Sequence, residues 1–162
     1  LRAGADKVAI NTAAVETPGL ISEAAARFGV QCVVVSIDYR RTADGRDEVF
    51  SHGGTTPTGL DVIEHAVKMA ELGAGELLVT SIDRDGTMAG YDLDVLSAIV
   101  ARVKVPVIAS GGAGSLQHLV DAVANGGVSA VAVGSLFHLT DQSPIKARTF
   151  MKVAGIDVRA KE

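Results

Sequence analysis

The amino-acid sequence predicts an α/β fold, a partial (β/α)8 TIM barrel of about five βα units. Short continuous runs of β-branched residues and alanine alternate along the chain with segments of helical periodicity. Runs of this kind, without polar–apolar alternation, are typical of strands buried on both faces of a parallel sheet. A turn of small residues followed by such a strand recurs at residues 4–11, 73–80 and 127–134, as repeated βα units require.

The predicted elements follow in order from their residues. Strands are predicted at residues 7–11, 32–38, 76–83, 105–110 and 129–137, and helices at 20–28, 62–72, 93–100, 116–123 and about 144–154. Thr17-Pro18 is expected to supply the cap and the first-turn proline of the first helix, which Gly29 ends. Gly73 ends the second helix in the same way.

One long polar stretch interrupts this alternation. Residues 40–59 are glycine-rich and contain the turn signal Asp44-Gly45, so they are interpreted as a small hairpin after the second strand. A closed barrel needs eight strands and typically about 250 residues. We therefore expect residues 1–162 to be the C-terminal portion of a single barrel domain whose first three βα units are missing.

Composition excludes several classes of protein. Hydrophobic residues make up 48% of the chain and charged residues 21%, with a net charge of −4, which favours neither nucleic acid nor an acidic membrane as a partner. The single cysteine, Cys32, lies in an apolar run, and no Cys/His cluster has metal-ligand spacing, so neither a disulfide, a metal nor another cofactor is predicted. Without a signal peptide or an apolar run that could span a bilayer, a cytoplasmic location is expected.

Glycine-bearing strand ends indicate phosphate binding. Gly111 and Gly112 follow a predicted buried strand and open a helix, where backbone N–H groups and the helix dipole favour an anion. Gly134 and Ser135 end the next predicted strand, and phosphate sites after the last two strands are typical of βα barrels. Gly86 lies in a third such turn. The alternative is that these glycines only form tight turns.

Two aspartates are the candidate acid and base. Asp38 and Asp85 both follow predicted strands, at the end where a barrel carries its chemistry. Paired carboxyl groups in a partly enclosed site can hold different pKa values and so act as proton donor and acceptor. Asp83 is expected to cap or brace the loop. The alternative is that Asp38 is a turn cap and Asp85 a turn residue.

The histidines carry little functional information. His52 is the only one on a plausible active-site loop, with an ordinary loop position as the alternative. His65 lies among charged residues of a predicted helix and is expected to be solvated.

A set of motifs resembles the cyclase subunit of imidazole glycerol phosphate synthase, an enzyme of histidine biosynthesis. The resemblance covers essentially the whole chain, as the fourth to eighth βα units of that family. The motifs are residues 5–14, 36–38, 52–54, 58–59, 73–76, 80–87, 90–92 and 109–114.

The resemblance implies a reaction and a partner. Ammonia from a glutaminase subunit travels through the barrel and attacks a phosphoribulosyl-formimino-carboxamide nucleotide, a substrate with two phosphates. The products are imidazole glycerol phosphate and an aminoimidazole carboxamide ribonucleotide. Asp85 matches the catalytic aspartate of the family, and Asp38 matches an assisting one. A further essential aspartate belongs to the first strand of the family, so the resemblance implies that residues 1–162 alone are inactive.

The resemblance also assigns binding residues. Asn11 and Thr12 match the first phosphate site. The second phosphate site is matched by Gly86, Gly112, Gly134 and Ser135. Lys7 and Glu76 match charged residues that gate ammonia entry at the bottom of the barrel.

Two alternatives stay open. Residues 133–137 and 141–146 look closer to paralogues associated with amidation of surface-polysaccharide sugars, which also pair with a glutaminase-like subunit. A half-barrel that binds phosphate without turnover is the second alternative, because fold does not determine function.

Overall fold

A computed structural model describes residues 1–159, and these residues form seven strands and seven α-helices. The strands are β1 (Val8–Ile10), β2 (Val33–Arg41), β3 (Asp47–Ser51), β4 (Thr56–Asp61), β5 (Glu76–Ser81), β6 (Val107–Ser110) and β7 (Ala130–Val131). The helices are α1 (Thr12–Glu16), α2 (Gly19–Phe28), α3 (Val62–Glu71), α4 (Leu93–Val100), α5 (Leu116–Ala124), α6 (Ser135–Leu139) and α7 (Pro144–Val153). A 3-10 turn, Val30–Cys32, precedes β2.

Five strands form a parallel sheet in the order β1-β2-β5-β6-β7. The strands follow one another in sequence order, with helices between them, as successive βα units do. Among the described residues β1 and β7 do not pair, so the sheet is open rather than closed. The predicted α/β fold, a partial barrel, is confirmed.

The hairpin predicted at residues 40–59 is also confirmed. The end of β2 pairs antiparallel with β3, and β3 pairs antiparallel with β4. β1 and β3 share one edge of β2, with β1 along residues 33–35 and β3 along residues 38–41. The turn between β3 and β4, residues 52–55, which we call the hairpin tip, therefore lies near the carboxyl end of β1.

The two faces of the parallel sheet differ in burial. Val35, Ile37 and Leu77 are at most 1% exposed, because their side chains pack under the helices. Side chains alternate between the faces of a strand. The intervening residues Ser36 and Asp38 therefore occupy the other face, where they are only partly buried. This face carries Ser36, Asp38 and Thr80.

The helices begin and end where hydrogen bonds satisfy the free backbone groups of their first and last turns. Gly29 ends α2 at φ +91°, a conformation that favours glycine, and its N–H donates to the carbonyl of Ala25. Asp61 begins α3 by accepting hydrogen bonds of 2.9 and 3.0 Å from two first-turn N–H groups. At α2 the structure places Pro18 itself at the N-cap, rather than in the first turn as predicted.

Two further predictions from the sequence are wrong. The strand predicted at 129–137 is only Ala130–Val131, because the chain turns at Gly134 into helix α6. His65 is 5% exposed rather than solvated. It lies three residues after Val62 and four before Met69, both fully buried, so it shares the face of α3 that packs on the sheet.

Candidate active site

Asn11, which directly follows β1, meets Asp38, which lies in the second half of β2. The side-chain Nδ2 of Asn11 donates a hydrogen bond of 3.0 Å to Oδ2 of Asp38. Thr80 of β5 lies opposite Asp38 in the parallel ladder, and its side chain lowers the pKa of that carboxyl group. These three residues form a polar cluster at one edge of the open face of the sheet.

Burial governs the ionisation of Asp38. Loss of hydration raises the pKa of this carboxyl above its ordinary value of 3.8. The side chains of Asn11 and Thr80 lower the pKa and oppose part of that rise, and the negative charge of Asp85 raises it further. The net shift is upward, so Asp38 keeps its proton to a higher pH than an exposed aspartate does.

Asp85 lies in the loop of residues 82–92, which we call the acid loop. Its N–H donates a hydrogen bond of 3.0 Å to the carbonyl of Ser81, which closes the turn directly after β5. Gly86 follows at φ +77°, a left-handed conformation that glycine adopts at little cost. Asp85 is exposed, yet its charge acts on the pKa of Asp38. The two predicted carboxyl groups therefore lie near enough for one to affect the ionisation of the other.

A pocket of about 270 Å³ opens beside Asp85. Its other walls come from the ends of β6 and β7 and the loops that follow them: Ser110, Gly111, Gly112, Ala113, Ala132, Val133, Gly134 and Ser135. Within residues 1–159, the N–H groups of Gly112, Ala113, Gly134 and Ser135 donate no hydrogen bond to another protein group. Unpaired N–H groups around a concave space are suited to bind an anion. We call this space the anion pocket.

Four of the predicted phosphate residues line the anion pocket, namely Gly111, Gly112, Gly134 and Ser135. Gly86 is not among its lining residues, although it follows Asp85, which is. The pocket residues come from two separate βα turns, so their approach to one another depends on the pairing of β6 with β7.

The glycines around the anion pocket differ in whether the packing of the protein requires them. A Cβ at Gly112 would lie 2.2 Å from the carbonyl oxygen of Gly90, and one at Gly114 would lie 2.0 Å from that of Met88. These two glycines are required because the loop after β6 packs directly on the acid loop. A Cβ at Gly134 would meet no atom within 4 Å. The space beside Gly134 is therefore open.

Asn11 and Thr12, predicted for the first phosphate site, lie apart from the anion pocket. The hydroxyl of Thr12 accepts a hydrogen bond of 2.9 Å from the N–H of His52, at the hairpin tip. His52 has φ +51°, and its Nε2 is 3.4 Å from a carboxylate oxygen of Glu16. Neither Asn11 nor Thr12 lines the anion pocket. The hairpin tip therefore packs on the end of β1, at a second location on the same edge of the sheet.

Lys7 and Glu76 lie at the opposite end of the sheet from the aspartates. Lys7 directly precedes β1 and Glu76 begins β5, and their side chains form an ion pair. The pair spans β2, which lies between these two strands. Both predicted gate residues are thus at the amino ends of the strands.

Asp83 braces the acid loop, as the sequence predicted. Its Oδ2 accepts a hydrogen bond of 3.0 Å from the N–H of Arg41, and its Oδ1 lies 3.1 Å from Nε of Arg40. The far end of the loop is held by Tyr91, whose hydroxyl donates a 2.9 Å hydrogen bond to the carbonyl of Ala132. The acid loop is therefore anchored at both ends, on β2 and beside β7.

Sequence reasoning missed Thr80 and the loop anchors. The position of Thr80 near Asp38 follows from the pairing of β2 with β5, which places it opposite Asp38 and on the same face as Leu78. That pairing is not visible in the sequence around Thr80. Tyr91 gives no such signal, since its hydroxyl partner, the carbonyl of Ala132, is 41 residues away in sequence.

Within the described residues no helix is both long and apolar enough to cross a bilayer. Comparison with known families gives one finding. Residues 1–143 match the family described as "Histidine biosynthesis protein", which includes every residue of the candidate site and extends to the residue before α7.

Proposed function

Because this chain belongs to the family of histidine biosynthesis proteins, we propose that it carries the cyclase activity of imidazole glycerol phosphate synthase. In that reaction ammonia attacks a phosphoribulosyl-formimino-carboxamide nucleotide, which is cleaved and closed into imidazole glycerol phosphate and an aminoimidazole carboxamide ribonucleotide. The observation that carries the proposal is the position of Asp85. It lines the anion pocket while its charge acts on Asp38.

Phosphate binding is the first step that we propose. The N–H groups of Gly112, Ala113, Gly134 and Ser135 have no acceptor within residues 1–159, and four such donors match the oxygens of one phosphate group. Because binding relies on backbone N–H groups, the chain's net charge of −4 is no obstacle. One phosphate of the substrate then lies beside Asp85. We propose Asn11 and Thr12 for the other phosphate, and Gly86, which follows Asp85, for a further contact to the phosphate in the anion pocket.

Proton transfer is the second step. Cleavage and ring closure require a proton to be given to a departing nitrogen and others to be removed, which paired carboxyl groups of different pKa can do. The raised pKa of Asp38 suits it to hold and donate a proton. Asp85, exposed beside the pocket, is the residue that we propose to contact the reacting carbon chain. Asp38 assists it.

Ammonia supply is the third step, and we propose that it requires a glutaminase subunit. The ion pair of Lys7 and Glu76 lies at the amino ends of β1 and β5, whereas the aspartates lie at the carboxyl ends. A partner docked at the amino ends would release ammonia beside this pair. Opening of the pair would then admit ammonia toward Asp38. We propose that the complex acts in the cytoplasm.

Growth complementation tests the proposed function. The full-length protein should restore growth without histidine to a strain that lacks the cyclase, and the full-length Asp85→Asn variant should not. If the wild-type protein accumulates in folded form and growth is not restored, the proposal is wrong. Altered surface polysaccharide on deletion of the protein would then favour the alternative of sugar amidation, to which residues 141–146 point.

A further inference from the structure

His118 connects the loop after β6 to the acid loop. Its Nδ1 accepts a hydrogen bond of 3.2 Å from the N–H of Gly114. Its own N–H donates to the hydroxyl of Ser115, the N-cap of α5, at 3.3 Å. The two bonds resemble a capping box, with histidine in place of the usual Glu or Gln and with the N–H of Gly114, one residue before the N-cap, as the donor. They fix both the start of α5 and the orientation of the imidazole ring.

The opposite side of the His118 ring faces Gly90 of the acid loop. A Cβ at Gly90 would lie 3.6 Å from both Cε1 and Nε2 of the ring, so the ring occupies the space beside this glycine. The N–H of Gly90 donates a 2.7 Å hydrogen bond to the carbonyl of Gly112, and the carbonyl of Gly90 accepts one of 3.3 Å from Arg84. Arg84 directly precedes Asp85. His118 thus contacts both loops of the site.

The hydrogen bond from Gly114 requires a particular state of the ring. An amide N–H can only donate, so Nδ1 of His118 must be the unprotonated nitrogen. An imidazolium carries a proton on both nitrogens and has no acceptor. Protonation would therefore place two donors against each other, and the loop of Gly112 and Ala113 would have to shift. His118 is partly exposed and lines a small cavity of about 190 Å³, so solvent protons have access to it.

We propose that His118, in its neutral form, is a positioning residue that holds the N–H groups of Gly112 and Ala113 toward the anion pocket. This inference rests on the proposed function, because it assumes that the pocket binds a phosphate. The consequence has a defined sign. Affinity for a doubly charged anion should fall as His118 becomes protonated, although simple attraction between the imidazolium and the anion would raise it.

The charged and titratable groups near His118 are few. Asp121 of α5 and Tyr91 of the acid loop line the same cavity, and Arg84 reaches Gly90 from the side of the acid loop. The hydroxyl of Tyr91 donates a hydrogen bond to the carbonyl of Ala132, and the carboxylate of Asp121 accepts one from the side chain of Gln117. All of these groups remain when His118 alone is replaced. A comparison of His118 variants with wild type therefore isolates the contribution of the His118 side chain.

The test measures the Kd of inorganic sulfate for the full-length protein at about pH 8 and about pH 5.5, the range in which histidine titrates. Sulfate keeps its double charge across this range. The variant His118→Gln offers an amide oxygen that accepts from Gly114 and does not titrate, and His118→Leu offers no acceptor. At about pH 8, His118→Gln should bind within about twofold of wild type and His118→Leu about fivefold more weakly, the scale of one neutral hydrogen bond.

Two comparisons decide the proposal. Loss of the acceptor in His118→Leu should weaken sulfate binding at about pH 8, and protonation of His118 in wild type should weaken it about fivefold relative to His118→Gln. If His118→Leu binds sulfate as wild type does, or if wild type gains affinity on acidification relative to His118→Gln, the positioning role is wrong. A role in helix capping alone would lower Tm in His118→Leu and leave the Kd unchanged, which also overturns the proposal. Absence of sulfate binding by wild type at either pH would instead overturn the anion pocket itself, and this role of His118 with it.

Discussion

The N–H of Gly90 donates a hydrogen bond of 2.7 Å to the carbonyl oxygen of Gly112. This bond ties the acid loop to the loop that lines the anion pocket. The absence of a side chain at Gly112 permits it, because a Cβ there would lie 2.2 Å from the carbonyl oxygen of Gly90. Asp85 and the N–H groups of the pocket are therefore positioned by one set of packed backbone segments, and the following substitutions separate their contributions.

Asp85→Asn should lower kcat by about two orders of magnitude or more, the scale of general acid–base groups. The substitution keeps the shape of the side chain and removes its titratable proton, so KM should change little. Steady-state kinetics with added ammonium, which bypasses the glutaminase, measures both constants. Asp83→Asn is the matched control, because Asp83 lies two residues away and pairs with Arg40. A near-normal kcat for Asp85→Asn would show that Asp85 is only a turn residue and that the catalytic assignment is wrong.

Gly134→Ala should raise the KM for the substrate several-fold and leave Tm unchanged. An added Cβ meets no protein atom within 4 Å and φ is −114°, so only a bound ligand would be crowded. Gly114→Ala is the contrasting variant, because its Cβ would lie 2.0 Å from the carbonyl oxygen of Met88. It should cost about 1–3 kcal/mol of stability and several degrees of Tm. An unchanged KM in Gly134→Ala would argue against a phosphate at this position.

Gly112→Val should destabilise the fold as well as weaken binding. From the sequence, crowding of the phosphate alone is the expected effect. The structure adds a clash with Gly90, so a binding defect in this variant is uninformative without a Tm. Thermal unfolding should show a loss that Gly134→Ala lacks.

Asp38→Asn should make the protein less sensitive to rising pH. The pKa of Asp38 is raised in the folded state, so its contribution to stability is complete below the ordinary value of 3.8 and is lost as pH rises through the folded pKa. The stability of Asp38→Asn relative to wild type should therefore increase with pH across that window. Urea unfolding at several pH values measures it. Asp44→Asn should show the opposite trend, because hydrogen bonds from Thr42 and Arg46 lower the pKa of Asp44 to about 2. A flat difference for Asp38→Asn would contradict the raised pKa.

His65 should make the protein sensitive to acid. Burial, and then the charge of Lys68, lower its pKa from 6.5 to about 4. A lowered pKa means that stability is complete above 6.5 and is lost as pH falls toward 4, by up to about 3 kcal/mol. His65→Gln should lose less stability than wild type between these pH values, and the exposed His138→Gln should behave as wild type. Equal acid sensitivity of all three proteins would rule out His65 as the source.

Lys7→Met should change glutamine-dependent activity several-fold and leave ammonium-dependent activity close to wild type. The reason is that Lys7 pairs with Glu76 far from the aspartates, on the route proposed for ammonia. Arg102→Met, which breaks the exposed ion pair with Glu64, is the control. Each change should cost less than about 1 kcal/mol of stability. Equal effects on both activities would argue against a gate.

The regular elements of this protein were predictable because their signals are local. Continuous apolar runs predict parallel strands, and the 3.6-residue period with its stop at Gly29 predicts α2. The prediction of a strand at 129–137 was wrong because an apolar run looks the same in a strand and in a buried turn of helix. The prediction that His65 is solvated was wrong because its charged sequence neighbours lie on the other side of α3.

The sequence by itself determined the fold class and, to within a few residues, where four of the parallel strands end, and therefore the candidate residues Asp38, Asp85 and Gly112. Each lies at or shortly after the end of an apolar run. Only the tertiary structure decided which of them act together. Asn11 meets Asp38 across 27 residues, and Gly90 meets Gly112 through a backbone bond that no side chain announces. Such contacts depend on strand pairing and on the space that a missing Cβ leaves, and neither can be predicted from the neighbouring residues in sequence.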